Sequence, residues 1–150
     1  AVQLVRTERI GDNYAGLKAY EVLASALREA RFPAEAEREQ DRPWFRYLCL
    51  LCYNMMLDDH HSAEPFLRDA AEVLPHCKPE LLQAAICYDR SCELRQELDR
   101  ILPGDFSEDA QRSVLDPQVR ERYAQVIVQI RDSDSEAIGH VREALARVGA

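Results

Sequence analysis

The chain has 150 residues and a mass of 17.2 kDa, with 19 Lys plus Arg against 27 Asp plus Glu and a formal net charge of −8. That length fits one domain and suffices to bury about two-thirds of the unfolded surface. The acid excess falls evenly on 1–75 and 76–150, which excludes the basic face that nucleic acid or an anionic membrane demands; a hydrophobic content of 47% excludes wholesale disorder, and no run nears the ~18 apolar residues of a bilayer span.

Helix formers dominate, there is a single Thr, and the seven prolines fall mostly where helices begin or end. The first five residues alternate weakly and read as extended or frayed. A first helix is expected from Asp12 or Asn13 to about Ala30, with Leu17, Tyr20, Leu23, Ala24 and Leu27 on one stripe. Phe32 and Pro33 stop it, because proline excludes its predecessor from helical dihedrals. A polar helical stretch over 34–40 follows, and Pro43 then opens the greasiest segment, 44–57, which reads as the central core helix.

Asp58 and Asp59 close that helix, and His61 or Ser62 caps the next, placing Pro65 in its first turn. Phe66, Leu67, Ala70, Ala71, Val73 and Leu74 form its inward face, and Pro75 ends it. Pro79 starts another helix that buries Leu81, Leu82, Ala85, Ile86 and Tyr88. Within it, Asp89, Arg90 and Ser91 are either a turn or the wet face of a longer helix reaching Leu102. Pro103, Gly104 and Asp105 make a break, and Ser107 opens a short helix to Leu115. Asp116 as N-cap before Pro117 starts the next helix, with Val119, Tyr123, Val126, Ile127 and Ile130 on one face. The polar run 132–135 interrupts this stripe, and Ser133 with Glu136 reads as a capping box for a last helix over 136–148. The expected fold is all-α: six or seven helices in antiparallel hairpins or a bundle, in one domain over 1–150.

Spacing within 44–88 carries a further signal. Tyr47, Leu50, Leu51 and Asn54 are followed by Ala63, Leu67, Ala70 and Pro75, and then by Leu81, Ala84, Ala85 and Tyr88. This series resembles the tetratricopeptide repeat, a helix–turn–helix unit of about 34 residues. It departs from that pattern at Leu51, where the repeat carries a small residue, and at Glu97, where it carries alanine. The resemblance implies a TPR-like middle and a protein-binding scaffold lined by first helices, with Arg46, Asn54, Gln83 and Arg90 on the partner-binding surface. A plain antiparallel bundle produces similar spacings.

The five cysteines are odd in number, and Cys49, Cys52 and Cys87 lie in apolar runs, so they read as core thiols in a reducing cytoplasm rather than as a disulfide framework. The Cys49–Cys52 spacing lacks a second pair to complete a zinc tetrahedron. The metal-binding alternative uses His60, His61, Glu64, Glu136 and His140, of which His60/Glu64 and Glu136/His140 stand four residues apart. Asp58 to His61 packs four titratable groups into one turn, a possible acid–base site that equally suits an exposed loop. Nucleotide loops, nucleophile elbows and zinc-protease motifs do not occur. The leading expectation is therefore a non-enzymatic, cytoplasmic protein-interaction domain without cofactor, an adaptor, chaperone or inhibitor whose acidic surface steers a basic partner protein. The alternative is a helical-bundle metal-binding protein.

Overall fold

A computed structural model describes residues 8–10, 13–29, 50, 60–103 and 107–148. The expectations for 1–7, 30–49 and 51–59 lie outside the described residues, and of the segment 44–57 only Leu50 is described: it is helical and buried. The described residues form five α-helices: α1 (Gly16–Glu29), α2 (His60–Val73), α3 (Lys78–Ile101), α4 (Glu108–Ser113) and α5 (Pro117–Val148). A 3-10 turn, Pro75–Cys77, joins α2 to α3. Among the described residues the strands are those of one small hairpin, in which β1 (Arg9–Ile10) pairs antiparallel with β2 (Asn13–Tyr14).

That hairpin corrects the expected start of the first helix. Asn13 pairs with Ile10 instead of capping a helix, and the ladder continues through Ala15 N–H to the Glu8 carbonyl at 3.0 Å. Gly16, with φ of 55°, turns the chain from hairpin into helix, a conformation that costs a residue with a Cβ roughly 1 kcal/mol. The stripe on α1 is as expected: Ala24 and Leu27 are buried, and Tyr20 and Leu23 pack half-buried against the same cluster.

Three local start signals act as read. Ser107 accepts a hydrogen bond from Ala110 N–H and caps α4, Asp116 Oδ1 accepts from Gln118 N–H at the head of α5, and Pro79 sits in the first turn of α3. One reading is corrected. Pro65 lies inside α2 rather than in its first turn, where it removes the hydrogen bond to the carbonyl four residues back. Of the two alternatives for Asp89–Ser91 the longer helix holds: α3 runs unbroken for 24 residues with Leu102 as its C-cap, and Asp89 and Arg90 are exposed while Ser91 is buried.

The largest correction concerns the C-terminal region. No second helix begins at Glu136, since α5 is a single helix of 32 residues, about 48 Å long. Its buried or half-buried positions Arg120, Tyr123, Ile127, Ile130, Asp134, Ala137, Val141 and Ala144 alternate steps of three and four residues. Leu81, Ala84, Tyr88, Ser91, Arg95 and Leu98 of α3 do the same, so the two helices meet along a coiled-coil-like seam. They run antiparallel, as shown by Cys77 Sγ–H donating to the Ala144 carbonyl at 3.3 Å and Arg122 meeting Glu97 at 3.0 Å near the other end. This orientation brings the first turn of α3 to the last turn of α5. There Glu80, buried, pairs with Arg147 at 2.5 Å, and each charge complements the dipole of its own helix.

Helix α1 also lies antiparallel on α5. Arg28 reaches Glu121 at 3.0 Å, and Arg131 reaches Glu21 at 3.4 Å. The buried Arg120 donates through Nε to the Leu27 carbonyl and through Nη1 to those of Val114 and Leu115, tying the end of α1 to the turn after α4. Two apolar clusters result. The larger joins α1, Leu50, Leu98, Leu102 and the first half of α5; the smaller joins Leu67 and Ala71 of α2, Cys77, Leu81, Ala84 and Ala85, and Ala144.

Candidate functional site

Between the two apolar clusters the α3–α5 seam turns polar. Asp134 occupies a core position and is 5% exposed, facing Ser91, which is 2% exposed. Its two carboxylate oxygens accept separate hydrogen bonds, from Ser91 Oγ at 2.8 Å and from Tyr20 OH of α1 at 2.6 Å. Ser133 Oγ donates to the Cys87 carbonyl at 2.7 Å. Three helices thus converge on one carboxylate, and Ser133, read as half of a capping box, belongs with Ser91 and Asp134 to a buried polar belt, while Glu136 is exposed.

One turn along the same seam stands a cluster of metal-donor groups. Cys87 of α3 is buried, His140 of α5 is half-buried and Glu136 of α5 is exposed; one donor atom from each lies within 4.8 Å of the others. The four-residue spacing sets Glu136 and His140 on one face of α5, and antiparallel packing brings Cys87 to them. Burial, and after it the Glu136 carboxylate, holds the Cys87 thiol above its ordinary pKa, while Arg90 opposes them. Cys87 is therefore a protonated thiol and a poor nucleophile. The Nδ1 atom of His140 stands 3.7 Å from Glu143 Oε2, within ion-pair reach and beyond hydrogen-bond length.

Of the residues proposed as metal ligands from the sequence, the fold joins Glu136 with His140 and leaves His61 and Glu64 elsewhere. His61 Nε2 sits 3.3 Å from Arg95 Nη1, and Glu64 forms an ion pair with Arg68 within α2. His60 opens α2. Cys87 escaped the sequence reading because its apolar neighbours marked it as core filling; the one available signal was the spacing of Glu136 and His140, which lacked a third donor.

The residues expected to bind a partner divide similarly. Gln83 and Arg90 are both exposed on α3, two turns apart, with Ile86 on the same stripe and 51% exposed. Arg46 and Asn54 lie outside the described residues. Ile86 was expected in the core, as were Phe66 and Val73. Instead Phe66 is 70% and Val73 77% exposed, because Leu67 and Ala71 form the contact of α2 with α3. Phe66 and Val73 are seven residues apart, so they share one outward face about 10 Å long, with Asp69 and Glu72 exposed on the same helix.

None of the described helices is long and apolar enough to cross a membrane. No protein-family model matches the chain, and neither a curated protein nor a solved structure does.

Proposed function

We propose that the chain is a non-enzymatic protein-interaction domain of the adaptor, chaperone or inhibitor type, and that its partner is a basic protein. The observation that carries this reading is the outward face of α2, where Phe66 and Val73 stand in solvent. Each apolar side chain of this size gains roughly 1.5–3 kcal/mol on full burial, which makes the pair suitable anchors for a partner helix or extended segment. The carboxylates of Asp69 and Glu72, on a chain of net charge −8, favour cationic residues around those anchors. The exposed stripe of Gln83, Ile86 and Arg90 supplies a second contact surface in the same reading. The spacing in 44–88 that resembles tetratricopeptide repeats belongs to this proposal as well, as does a cytoplasmic location.

The test compares the wild-type chain with a Phe66→Asp/Val73→Asp double variant as bait in native extract. The expected result is a basic protein retained at micromolar affinity by the wild type alone, with retention falling as salt rises. Both baits should keep the same helical circular dichroism, since neither side chain is buried. Equal retention by the two baits, or no partner for either, would refute the reading.

A further inference from the structure

We propose that Cys87, Glu136 and His140 form a zinc-class binding site, in which one divalent cation bridges α3 to α5 beside the buried polar belt. The argument rests first on geometry. A tetrahedral zinc with one sulfur and two N/O ligands holds its donor atoms roughly 3.3–3.8 Å apart. The three donors already lie within 4.8 Å of one another, about 1 Å wider than that tetrahedron. The two α5 ligands use the four-residue helical step, the same step that lets two histidines on one helix hold zinc in metalloproteases.

Donor chemistry narrows the ion. A thiolate, an imidazole and one carboxylate suit zinc or cobalt(II), whereas magnesium and calcium take all-oxygen sets. Charge balances on binding: the cation displaces one proton from Cys87 Sγ to solvent, and thiolate plus carboxylate then neutralise its two positive charges. The gradient from buried Cys87 through half-buried His140 to exposed Glu136 gives the ion a path from water and leaves a fourth position for a water molecule. The site crosses the α3–α5 seam next to the belt of Ser91, Ser133 and Asp134, where apolar packing is interrupted, so a bound ion clamps the two longest described helices together.

The experiment uses the whole 150-residue chain, reduced and freed of metal, titrated with cobalt(II) and then zinc. The expected result is saturation at one equivalent, with a thiolate-to-cobalt charge-transfer band and the intense visible bands of a tetrahedral site, both erased by zinc. Zinc also raises the melting temperature of the wild type. Cys87→Ala abolishes the charge-transfer band, and His140→Ala or Glu136→Gln weakens cobalt binding at least about tenfold. His61→Ala, beside Arg95 and outside the cluster, leaves the band and the affinity unchanged, and so does Cys49→Ser/Cys52→Ser. Absence of one-to-one binding at micromolar cobalt, or a band that survives Cys87→Ala or vanishes in Cys49→Ser/Cys52→Ser, overturns the proposal. If Cys87→Ala loses its helical circular dichroism, Glu136→Gln at its exposed position decides: unchanged affinity refutes the site.

Discussion

Asp134→Ala is the sharpest test of how the helices are held together. The substitution removes an acceptor that takes hydrogen bonds from Tyr20 OH at 2.6 Å and Ser91 Oγ at 2.8 Å. Hydrogen bonds to a charged acceptor are worth roughly 1.5–3 kcal/mol each, so two represent about 3–6 kcal/mol. The variant no longer buries a carboxylate, which returns part of that sum. The expected net loss is about 2–4 kcal/mol, or a melting temperature lower by about 5–15 °C. Replacing the whole node, as Tyr20→Phe/Ser91→Ala/Asp134→Leu, leaves no hydroxyl without its acceptor and should recover stability to within about 1 kcal/mol of wild type. Urea unfolding followed by far-ultraviolet circular dichroism measures both, provided the slope stays constant between variants. A loss below about 0.5 kcal/mol for Asp134→Ala, or a triple variant less stable than the single one, would show that this carboxylate does not organise the seam.

Further outcomes follow from burial, helix propensity and titration. Ile127→Ala should cost about 2–5 kcal/mol, because Ile127 is wholly enclosed, whereas Ile86→Ala at its exposed position should stay below about 1 kcal/mol in the same urea titration. Gly139 lies inside α5, and a Cβ there would meet nothing within 4 Å, so Gly139→Ala should raise stability by roughly 0.5–1 kcal/mol through backbone entropy. Stability should fall as pH rises from about 8.5 upward. Burial is the leading cause that pushes the Cys87 and Cys92 thiols and the Tyr88 phenol up, followed by Glu136, Asp89 and Asp134 respectively. The folded chain therefore keeps protons that the unfolded chain has already released, and linkage makes that difference destabilising with increasing pH. Urea midpoints at about pH 8 and about pH 10 check the direction, and a midpoint that rises between them contradicts it.

Local punctuation was legible in the residues themselves. Ser107, the Asp116–Pro117 pair, Pro75 and Pro79 mark helix ends because capping and the missing proline N–H act on backbone groups only a few residues away. The apolar stripe of α1 was equally readable, and so was the helical character of the chain. Side-chain facing was less so. Phe66 and Ile86 are apolar yet point outward, since the packing partners of α2 and α3 were already filled by Leu67, Ala71, Leu81 and Ala85.

The amino-acid order alone, then, determined the helix ends at Pro75, Pro79, Ser107 and Asp116, because those events depend on neighbouring backbone, but not the start of α1 or the continuity of α5. Tertiary structure alone decided what the polar residues within helices do. Ser91, Ser133 and Asp134 look like a wet face and a cap until Tyr20 and the Cys87 carbonyl, far away in sequence, arrive to satisfy them. Cys87 likewise meets Glu136 and His140 only because α3 runs antiparallel to α5 in one register. A buried polar atom is stable only when it is paired, and its partner comes from another helix, so no window along one strand of sequence holds both halves of the pair.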